Sequence, residues 1–347
     1  MCGIVGYTGF QDAYQVVING LRRLEYRGYD SAGIVLDSDS DFQVAKTKGK
    51  VSDLMAISED LIGKAHVGMG HTRWATHGVP SDRNSHPHVS NNGKIAVVHN
   101  GIIENYDTIK IMLTEKGFTF QSETDTEVLV NLIQYFMDIN ADIDFPTAVR
   151  YALNEVYGAY AITVMHDDFP GILVVARLGS PLAIGLGNNE YFIASDASPF
   201  VEFTKEAVYL EEGHMATISL ENGVDIRNII DSAQITPEIQ QLKLSLEQIE
   251  KGGYEHFMLK EIFEQPKSIH DTLRGRLLVE EGIIKMAGIW DNLERINQAQ
   301  KITIIACGTS WHAGLIGEYL IEEFARIPVE IEYASEFRYR NPINTEK

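Results

Sequence analysis

Cysteine is scarce in this chain, which has only two thiols, Cys2 and Cys307, among 347 residues. Two cysteines so far apart in sequence do not make a disulfide framework, and we therefore expect a reducing, cytoplasmic location. Long apolar runs are also missing: no stretch of about 18 apolar residues occurs, which excludes a bilayer-spanning helix. The N-terminal segment MCGIVGYTGF lacks the basic start and apolar core of a secretory signal peptide.

Basic side chains are few relative to acidic ones, with 29 Lys and Arg against 49 Asp and Glu and a formal net charge of −20. Such a surface repels phosphate backbones and anionic lipid headgroups, so we expect no nucleic-acid partner and no membrane partner. Hydrophobic residues make up 44% of the chain, which is enough for a sizeable core, and the length allows two domains.

The first part of the chain carries short apolar runs in clusters, separated by longer segments with helical spacing. Several runs are joined by short turns such as Asn91-Asn92-Gly93, which favour antiparallel sheets with helices packed outside them. The predicted strands cover 4–7, 32–36, 95–98, 159–165, 171–176 and 191–194, and two predicted helices cover 12–24 and 125–137.

The character of the sequence changes near residue 237. We predict a first domain over 1–237, a linker with connecting helices over 238–275, and a second domain over 276–347. The second domain shows a buried strand, a small polar turn, a helix over about 311–325 and another strand over 329–333. One βαβ unit cannot cover both faces of a parallel sheet, so we expect this domain to be incomplete.

A cysteine directly after the initiator methionine suggests an N-terminal nucleophile. Removal of Met1 would give Cys2 both a thiol and a free α-amine. Since an α-amine ordinarily has a pKa of about 7.7–8.0, that amine can accept the thiol proton near neutral pH. Taken alone, Cys2 could equally be a terminal cysteine with no role.

Six motifs in this order remove that ambiguity. They are MCGIVGY, LRRLEYRGYDSAG (21–33), GHTRWATHG (70–78), HPH (86–88), VVHNGIIEN (97–105) and SETDTE (122–127). Together they closely resemble the glutamine–fructose-6-phosphate aminotransferase (isomerising) family, and the resemblance covers essentially the whole chain. It implies an α/β (α+β) fold: a four-layer αββα N-terminal-nucleophile sandwich, followed by the start of a parallel α/β sugar isomerase domain.

The resemblance implies that Cys2, Asn100 and Gly101 are catalytic. The Asn100 side-chain amide and the Gly101 backbone N–H match the oxyanion hole, which binds the oxygen that becomes charged when a thiolate attacks a carboxamide. A competing interpretation is that Asn100-Gly101 forms a hairpin turn after the strand VVH, because Asn-Gly is a strong hairpin signal.

The resemblance also implies a glutamine site. Arg73 would hold the α-carboxylate, for which a guanidinium fork is well suited, and Asp125 would pair with the α-ammonium. Trp74, Thr76 and His77 would line the pocket. Two alternatives remain open: Trp74 could simply pack in the core, and Asp125 could also cap the helix that follows it.

The second domain carries a weaker signal. Gly308-Thr309-Ser310 lies where a predicted strand is followed by the N-terminus of a predicted helix, an arrangement that favours phosphate binding. The segments CGTSWHAG and ASEFRYR resemble the same family, which implies that Thr309 and Ser310 meet the sugar phosphate. Cys307 is predicted to be packed at a strand end.

Histidines cluster in the first domain without a metal-binding spacing. None of the five residues between 70 and 100 shows an HExxH or CxxC-type pattern. The five histidines are His71, His77, His86, His88 and His99. We expect no metal and no cofactor.

The expected reaction is glutamine hydrolysis by Cys2, with L-glutamine as substrate. In the full-length context of the family, the ammonia converts fructose 6-phosphate to glucosamine 6-phosphate, and a homodimer is a possible assembly. This chain by itself is expected to be a glutaminase only. An amidophosphoribosyltransferase or asparagine synthetase is disfavoured by LEYRGYDSAG and CGTS, and the remaining alternative is a non-catalytic module that binds glutamine or pairs with intact subunits.

Overall fold

Apolar runs that are buried on both faces organise the first part of this protein. The computed structural model describes residues 2–38, 41–74, 79–140, 142–242, 254–273, 277–278, 282–284, 292–340 and 342. Backbone contacts divide the chain into two units, Met1–Gly253 and Tyr254–Lys347.

The first unit contains two antiparallel sheets. The larger comprises β1 (Gly3–Thr8), β2 (Ser31–Asp37), β3 (Phe42–Lys48), β4 (Val67–Arg73), β9 (Ala183–Leu186), β10 (Tyr191–Ala194), β11 (Glu206–Tyr209) and β15 (Gln240–Gln241). The smaller comprises β5 (His88–Val89), β6 (Ile95–Ile103), β7 (Gly158–His166), β8 (Leu173–Leu178), β12 (His214–Ser219), β13 (Gly223–Asn228) and β14 (Gln234–Ile235). The eight-stranded sheet has the order β15-β11-β9-β10-β1-β4-β2-β3, and the seven-stranded sheet has the order β14-β13-β12-β8-β7-β6-β5.

Helices cover the outer faces of the two sheets. They are α1 (Ala13–Leu24), α2 (Val51–Ser58), α3 (Tyr106–Glu115), α4 (Asp125–Ile139) and α5 (Phe145–Glu155). The helices α1 and α2 share a core with the eight-stranded sheet, and α3, α4 and α5 share a core with the seven-stranded sheet. Asp12 caps α1 by accepting a hydrogen bond from the Tyr14 amide at 3.2 Å, and Asp144 caps α5 through the Thr147 amide at 2.8 Å.

A third core lies between the sheets. Along β2, Ile34 and Leu36 face the helices while Val35 faces the other sheet, and along β6, Val97 faces the helices while Val98 faces inward. This alternation with a period of two residues explains why the strands read as continuous apolar runs. The layers are therefore helix, sheet, sheet and helix, as predicted for an αββα sandwich.

The second unit contains a parallel βαβ arrangement. Its elements are α6 (Phe257–Leu273), β16 (Leu277–Leu278), β17 (Ile283–Ile284), α7 (Leu293–Asn297), β18 (Ile302–Ala306), α8 (Gly308–Ala325), β19 (Val329–Tyr333) and α9 (Ala334–Arg340). Strands β18 and β19 pair in parallel and are joined by α8, in which Gly314 allows close packing on Ile331. Across the described residues of both units, no helix is both long and apolar enough to cross a membrane.

Most predicted elements fall inside observed ones. Residues 240–241 differ: they lie in the segment predicted to hold a linker and helices, but they pair with β11 as an edge strand. The predicted domain limits at 237 and 275 stay predictions.

Candidate active site

The strands β1 and β4 are neighbours in the interior of the eight-stranded sheet, and the start of β1 lies beside the end of β4. The two strands are antiparallel, with Gly3 opposite Thr72, so Cys2 lies beside Trp74 although 72 positions separate them in sequence. The Trp74 amide donates to Cys2 Sγ at 3.2 Å, and the thiol donates to the Trp74 carbonyl at 3.5 Å. The backbone groups of Trp74, the residue directly after β4, therefore hold the thiol of the predicted nucleophile.

Burial raises the pKa of the Cys2 thiol above its ordinary value. The Trp74 backbone hydrogen bond and the positive charge of Arg73 act in the opposite direction but do not outweigh burial. A thiol in this position stays protonated near neutral pH, and forming the attacking thiolate requires a nearby proton acceptor.

The carbonyl of Cys2 is held by two side chains. Arg27 Nε donates to it at 3.1 Å, and Asn100 Nδ2 donates to it at 3.3 Å. Arg27 is held in turn by an ion pair with Asp196 at 3.0 Å. These contacts bring a residue of the seven-stranded sheet against the residue that carries the thiol.

Asn100 and Gly101 lie within β6, so the interpretation of this pair as a hairpin turn is wrong. Asn100 is opposite Ala161 and Gly101 is opposite Tyr160 in the neighbouring strand. Gly101 has φ +141°, and a β-carbon there would overlap the Ala159 carbonyl oxygen. Only glycine fits this backbone position without strain.

Arg73 and Asp125 are both buried, and the Arg73 guanidinium lies close enough to both Cys2 and Asp125 to interact with them electrostatically. Burial lowers the pKa of the Arg73 guanidinium, while the charges of Cys2, Asp125 and Asp30 oppose that shift. Asp125 Oδ2 accepts a hydrogen bond from the Ile103 amide at 2.8 Å, which ties it to the end of β6. The site therefore presents a buried cation near the thiol and a buried anion near that cation.

Asp125 is the first residue of α4 and does not cap it. Thr124 is the N-cap, and its hydroxyl accepts from the Glu127 amide at 3.3 Å. The prediction that Asp125 caps the helix is wrong because the helix begins one residue earlier than that role requires. The Asp125 carboxylate is instead oriented by β6.

Trp74 is on the surface, so the interpretation that it packs in the core is wrong. Its side chain is 44% exposed and meets Tyr29 edge to face, with ring centroids 5.3 Å apart. Thr76 and His77, the other two predicted pocket residues, lie outside the described residues.

Three histidines of the predicted cluster pack together next to the site. The rings of His71 and His86 are 4.2 Å apart and those of His86 and His88 are 5.0 Å apart. Burial lowers the pKa of all three, to about 3 for His71, so they are neutral at physiological pH. Within the described ranges, no group of three or more His, Cys, Asp or Glu residues is placed to hold a metal ion.

Acidification is expected to destabilise the protein through these histidines. Their folded pKa values lie below the unfolded value of about 6.5, so the unfolded state binds more protons once the pH falls below that value. The contribution of these neutral histidines to the free energy of unfolding is therefore fully present above about pH 6.5. As the pH falls below that value, the free energy of unfolding decreases by up to about 1.4 kcal/mol per pH unit for each histidine. For His71 the loss continues to about pH 3.

Urea unfolding at about pH 7.5 and about pH 5.5 measures this loss in the free energy of unfolding. Both pH values lie above the range in which ordinary carboxylates titrate. The variant His88→Gln retains a group that can bond Thr124, whose hydroxyl is 3.0 Å from His88 Nε2. It should lose less stability between the two pH values than the parent chain. Equal losses would contradict the assignment of the effect to buried neutral histidines.

In the second unit, Thr309 and Ser310 lie in the first turn of α8, directly after β18, as predicted. Gly308 has φ +58°, a left-handed conformation that allows the sharp strand-to-helix turn. Cys307 does follow the end of this strand, but it is exposed, so the prediction of a packed cysteine is wrong.

Two residues at the site, Arg27 and Ser195, were not predicted from the sequence. Arg27 stands inside the motif LRRLEYRGYDSAG, which singles out the segment but not the residue. Ser195 Oγ accepts from the Ile4 amide at 2.9 Å and from Asn100 Nδ2 at 2.9 Å, although Ser195 and Ile4 are 191 residues apart in sequence. No local pattern could have revealed that contact.

Two domain families match the chain. A glutamine amidotransferase domain matches residues 57–224, and a SIS domain matches residues 295–347. Among solved structures, glutamine phosphoribosylpyrophosphate amidotransferase from B. subtilis is similar with a TM-score of 0.60 and 23% identity, covering 95% of this chain and 65% of that chain. At that identity the likeness shows the fold alone.

Curated relatives are similar over nearly the whole chain. The glutamine–fructose-6-phosphate aminotransferases (isomerizing) of Bacteroides thetaiotaomicron and Chlorobaculum tepidum are 54% and 55% identical over 99% of this chain. The chain spans 56% of the length of each. Both domain types occur in this chain, which is similar to these aminotransferases over nearly its whole length.

Proposed function

We propose that this chain hydrolyses the side-chain amide of L-glutamine, with Cys2 as the nucleophile after removal of Met1. The observation that carries the proposal is the convergence on Cys2 of an amide donor and a buried cation. Asn100 Nδ2 lies 3.3 Å from the Cys2 carbonyl oxygen, and the Arg73 guanidinium is close enough to act electrostatically on the thiol.

The reaction proceeds in two halves. The α-amine of Cys2 takes the thiol proton, and the thiolate attacks the carboxamide carbon to form a C–S bond. The Asn100 amide and the Gly101 N–H stabilise the resulting oxyanion, the amine proton passes to the leaving nitrogen, and ammonia departs. Water then attacks the γ-glutamyl thioester, which releases glutamate and restores the thiol.

The same site supplies recognition of the amino-acid end of glutamine. Arg73 pairs with the α-carboxylate and Asp125 with the α-ammonium, while Trp74, Thr76 and His77 border the pocket. The two charged residues are both buried, at 4% and 5% exposure, so each ionic contact forms with little competition from water.

The activity of the whole family protein is a wider proposal. In a longer protein of the relatives' length, ammonia from this site would convert fructose 6-phosphate to glucosamine 6-phosphate, with Thr309 and Ser310 at the sugar phosphate. We assign residues 1–237 to the glutaminase domain, 238–275 to the connection and 276–347 to the sugar isomerase domain. A homodimer and a cytoplasmic location, consistent with two free thiols, complete this proposal.

Intact-mass measurement combined with a glutaminase assay, with and without fructose 6-phosphate, tests the proposal. We expect a mass without Met1, glutamate in both assays, and no glucosamine 6-phosphate from this 347-residue chain, which spans 56% of its relatives. A fully active preparation that keeps Met1 would contradict the mechanism. A processed chain that binds glutamine without turnover would favour the non-catalytic alternative.

A further inference from the structure

Hydrogen bonds that hold Asn100 cross the space between the two sheets. His71 Nε2, on β4, is 2.9 Å from Asn100 Oδ1, on β6. On the other side of the same carboxamide, Asn100 Nδ2 is 2.9 Å from Ser195 Oγ and 3.3 Å from the Cys2 carbonyl oxygen. The carboxamide of the proposed oxyanion donor is therefore clamped at both ends by residues in or beside the strands of the eight-stranded sheet.

The direction of these hydrogen bonds follows from two backbone carbonyls. His71 Nε2 is also 3.1 Å from the His99 carbonyl oxygen, which can only accept, so Nε2 carries the proton. The Asn100 atom that faces Nε2 must then be its oxygen. This leaves the amide NH₂ facing the Cys2 carbonyl, which also can only accept, so both sides of the carboxamide require the same Asn100 orientation.

His71 is suited to this role because it is a neutral single donor. The ring is fully buried, and burial lowers the pKa of His71 to about 3. Its other nitrogen, Nδ1, has no hydrogen-bond partner in the part of the chain that the structure describes. The one ring proton is consequently committed to the His99 carbonyl and the Asn100 oxygen.

Ser195 completes the clamp. Its amide donates to the Ile4 carbonyl at 3.1 Å, and its hydroxyl oxygen accepts from the Ile4 amide at 2.9 Å, which fixes Ser195 to β1. It takes one of the two Asn100 Nδ2 protons. The second proton is directed at the Cys2 carbonyl through the longest of these bonds, and it is the one that a developing oxyanion can capture.

We propose that His71 and Ser195 are positioning residues that keep the Asn100 NH₂ directed at the reacting carboxamide of glutamine. The inference rests on the proposed function, because it assigns Asn100 to the oxyanion. A flipped Asn100 would present its oxygen to that negative charge and would repel it. Neither His71 nor Ser195 touches substrate, and both act through Asn100.

The first test compares His71→Leu with His71→Gln in the 347-residue chain. We expect His71→Leu to lower kcat for glutamine hydrolysis by about 10–100-fold, with KM changed by less than about threefold. His71→Gln should recover most of kcat, because its amide nitrogen can donate where Nε2 does. A loss confined to KM, or a Gln variant no better than the Leu variant, would overturn the proposal.

A double-mutant cycle with Asn100→Ala separates positioning from general damage. Since His71 acts through Asn100, adding His71→Leu to Asn100→Ala should cost less than about twofold. Additive losses would overturn the proposal. If His71→Leu does not fold, Ser195→Ala takes its place in the same cycle, because it removes a single oxygen and leaves the core packing unchanged.

His166→Leu is the matched control. His166 is also a buried histidine, and its Nδ1 accepts from the Asp168 amide at 3.0 Å. It lies on β7 opposite Ile95, at the far end of the strand from the Ala161 position that pairs with Asn100. Its kcat should equal that of the parent, and a loss equal to that of His71→Leu would overturn the positioning role.

Cys2→Ala, assayed in parallel, distinguishes failure of the clamp from failure of the proposed function. Activity in that variant rejects the proposed function itself. Additive losses of kcat in the double-mutant cycle, together with an inactive Cys2→Ala, reject only the positioning role of His71 and Ser195.

Discussion

Replacement of Cys2 by alanine is expected to reduce glutamine hydrolysis by at least about 10⁴-fold, because no other described group at the site can form the thioester. The thiol is held by Trp74 backbone groups at 3.2 and 3.5 Å, and its removal leaves the Cys2 carbonyl contacts with Arg27 and Asn100 in place. Fold and glutamine binding should therefore survive. Steady-state assays of glutamate release, with circular dichroism to confirm the fold, measure the effect.

The exposed thiol provides the matched control for this variant. Cys307→Ala removes the other cysteine, which lies in the second unit, and it should leave glutamine hydrolysis unchanged. Substantial turnover by Cys2→Ala would reject the nucleophile. Inactivity of both variants would show that cysteine loss acts through the fold and not through chemistry.

Replacement of Arg73 by alanine is expected to raise KM for glutamine by about 10²-fold or more, with a smaller effect on kcat. Truncating one partner of a buried charged pair costs about 2–5 kcal/mol, and the carboxylate of glutamine would lose its only assigned cation. Arg73 is 4% exposed, so water cannot easily replace the guanidinium. Initial rates over a range of glutamine concentrations separate KM from kcat.

Two further variants sharpen the Arg73 test. Arg73→Lys keeps the charge but loses the bidentate fork, so its KM should lie between those of the parent and the alanine variant. Arg83→Ala removes an exposed arginine on the following loop and should leave KM unchanged. An unchanged KM in Arg73→Ala would show that the glutamine carboxylate is held elsewhere.

The strand and helix pattern was predictable because it depends on local periodicity. The runs at 32–36 and 95–98 lie in β2 and β6, and the predicted helix at 12–24 corresponds to α1. The pairing of these strands into two stacked sheets was not a local property. It came from the family resemblance, and the structure explains it by the three separate cores that the alternating side chains build.

Residues of the candidate site could be proposed from the sequence only where motifs surround them. Asn100-Gly101 shows the limit of local signals, because the dipeptide favours a turn but nine paired positions between β6 and β7 hold it in a strand. Asp125 shows a second limit, since only the structure reveals that Thr124 caps the helix. Ser195 shows a third, because its contacts with Ile4 and Asn100 join distant segments.

The clamp around Asn100 has a consequence for how activity relates to folding. Cys2, His71 and Ser195 lie in or directly beside the strands of one sheet and Asn100 belongs to the other, so neither sheet alone contains the proposed catalytic centre. A folding intermediate in which every strand has formed but the two sheets are loosely packed would keep its secondary structure and would not hydrolyse glutamine. Glutamine turnover therefore depends on the contacts between the two sheets. A ligand or mutation that loosens these contacts is expected to lower kcat without contacting the substrate.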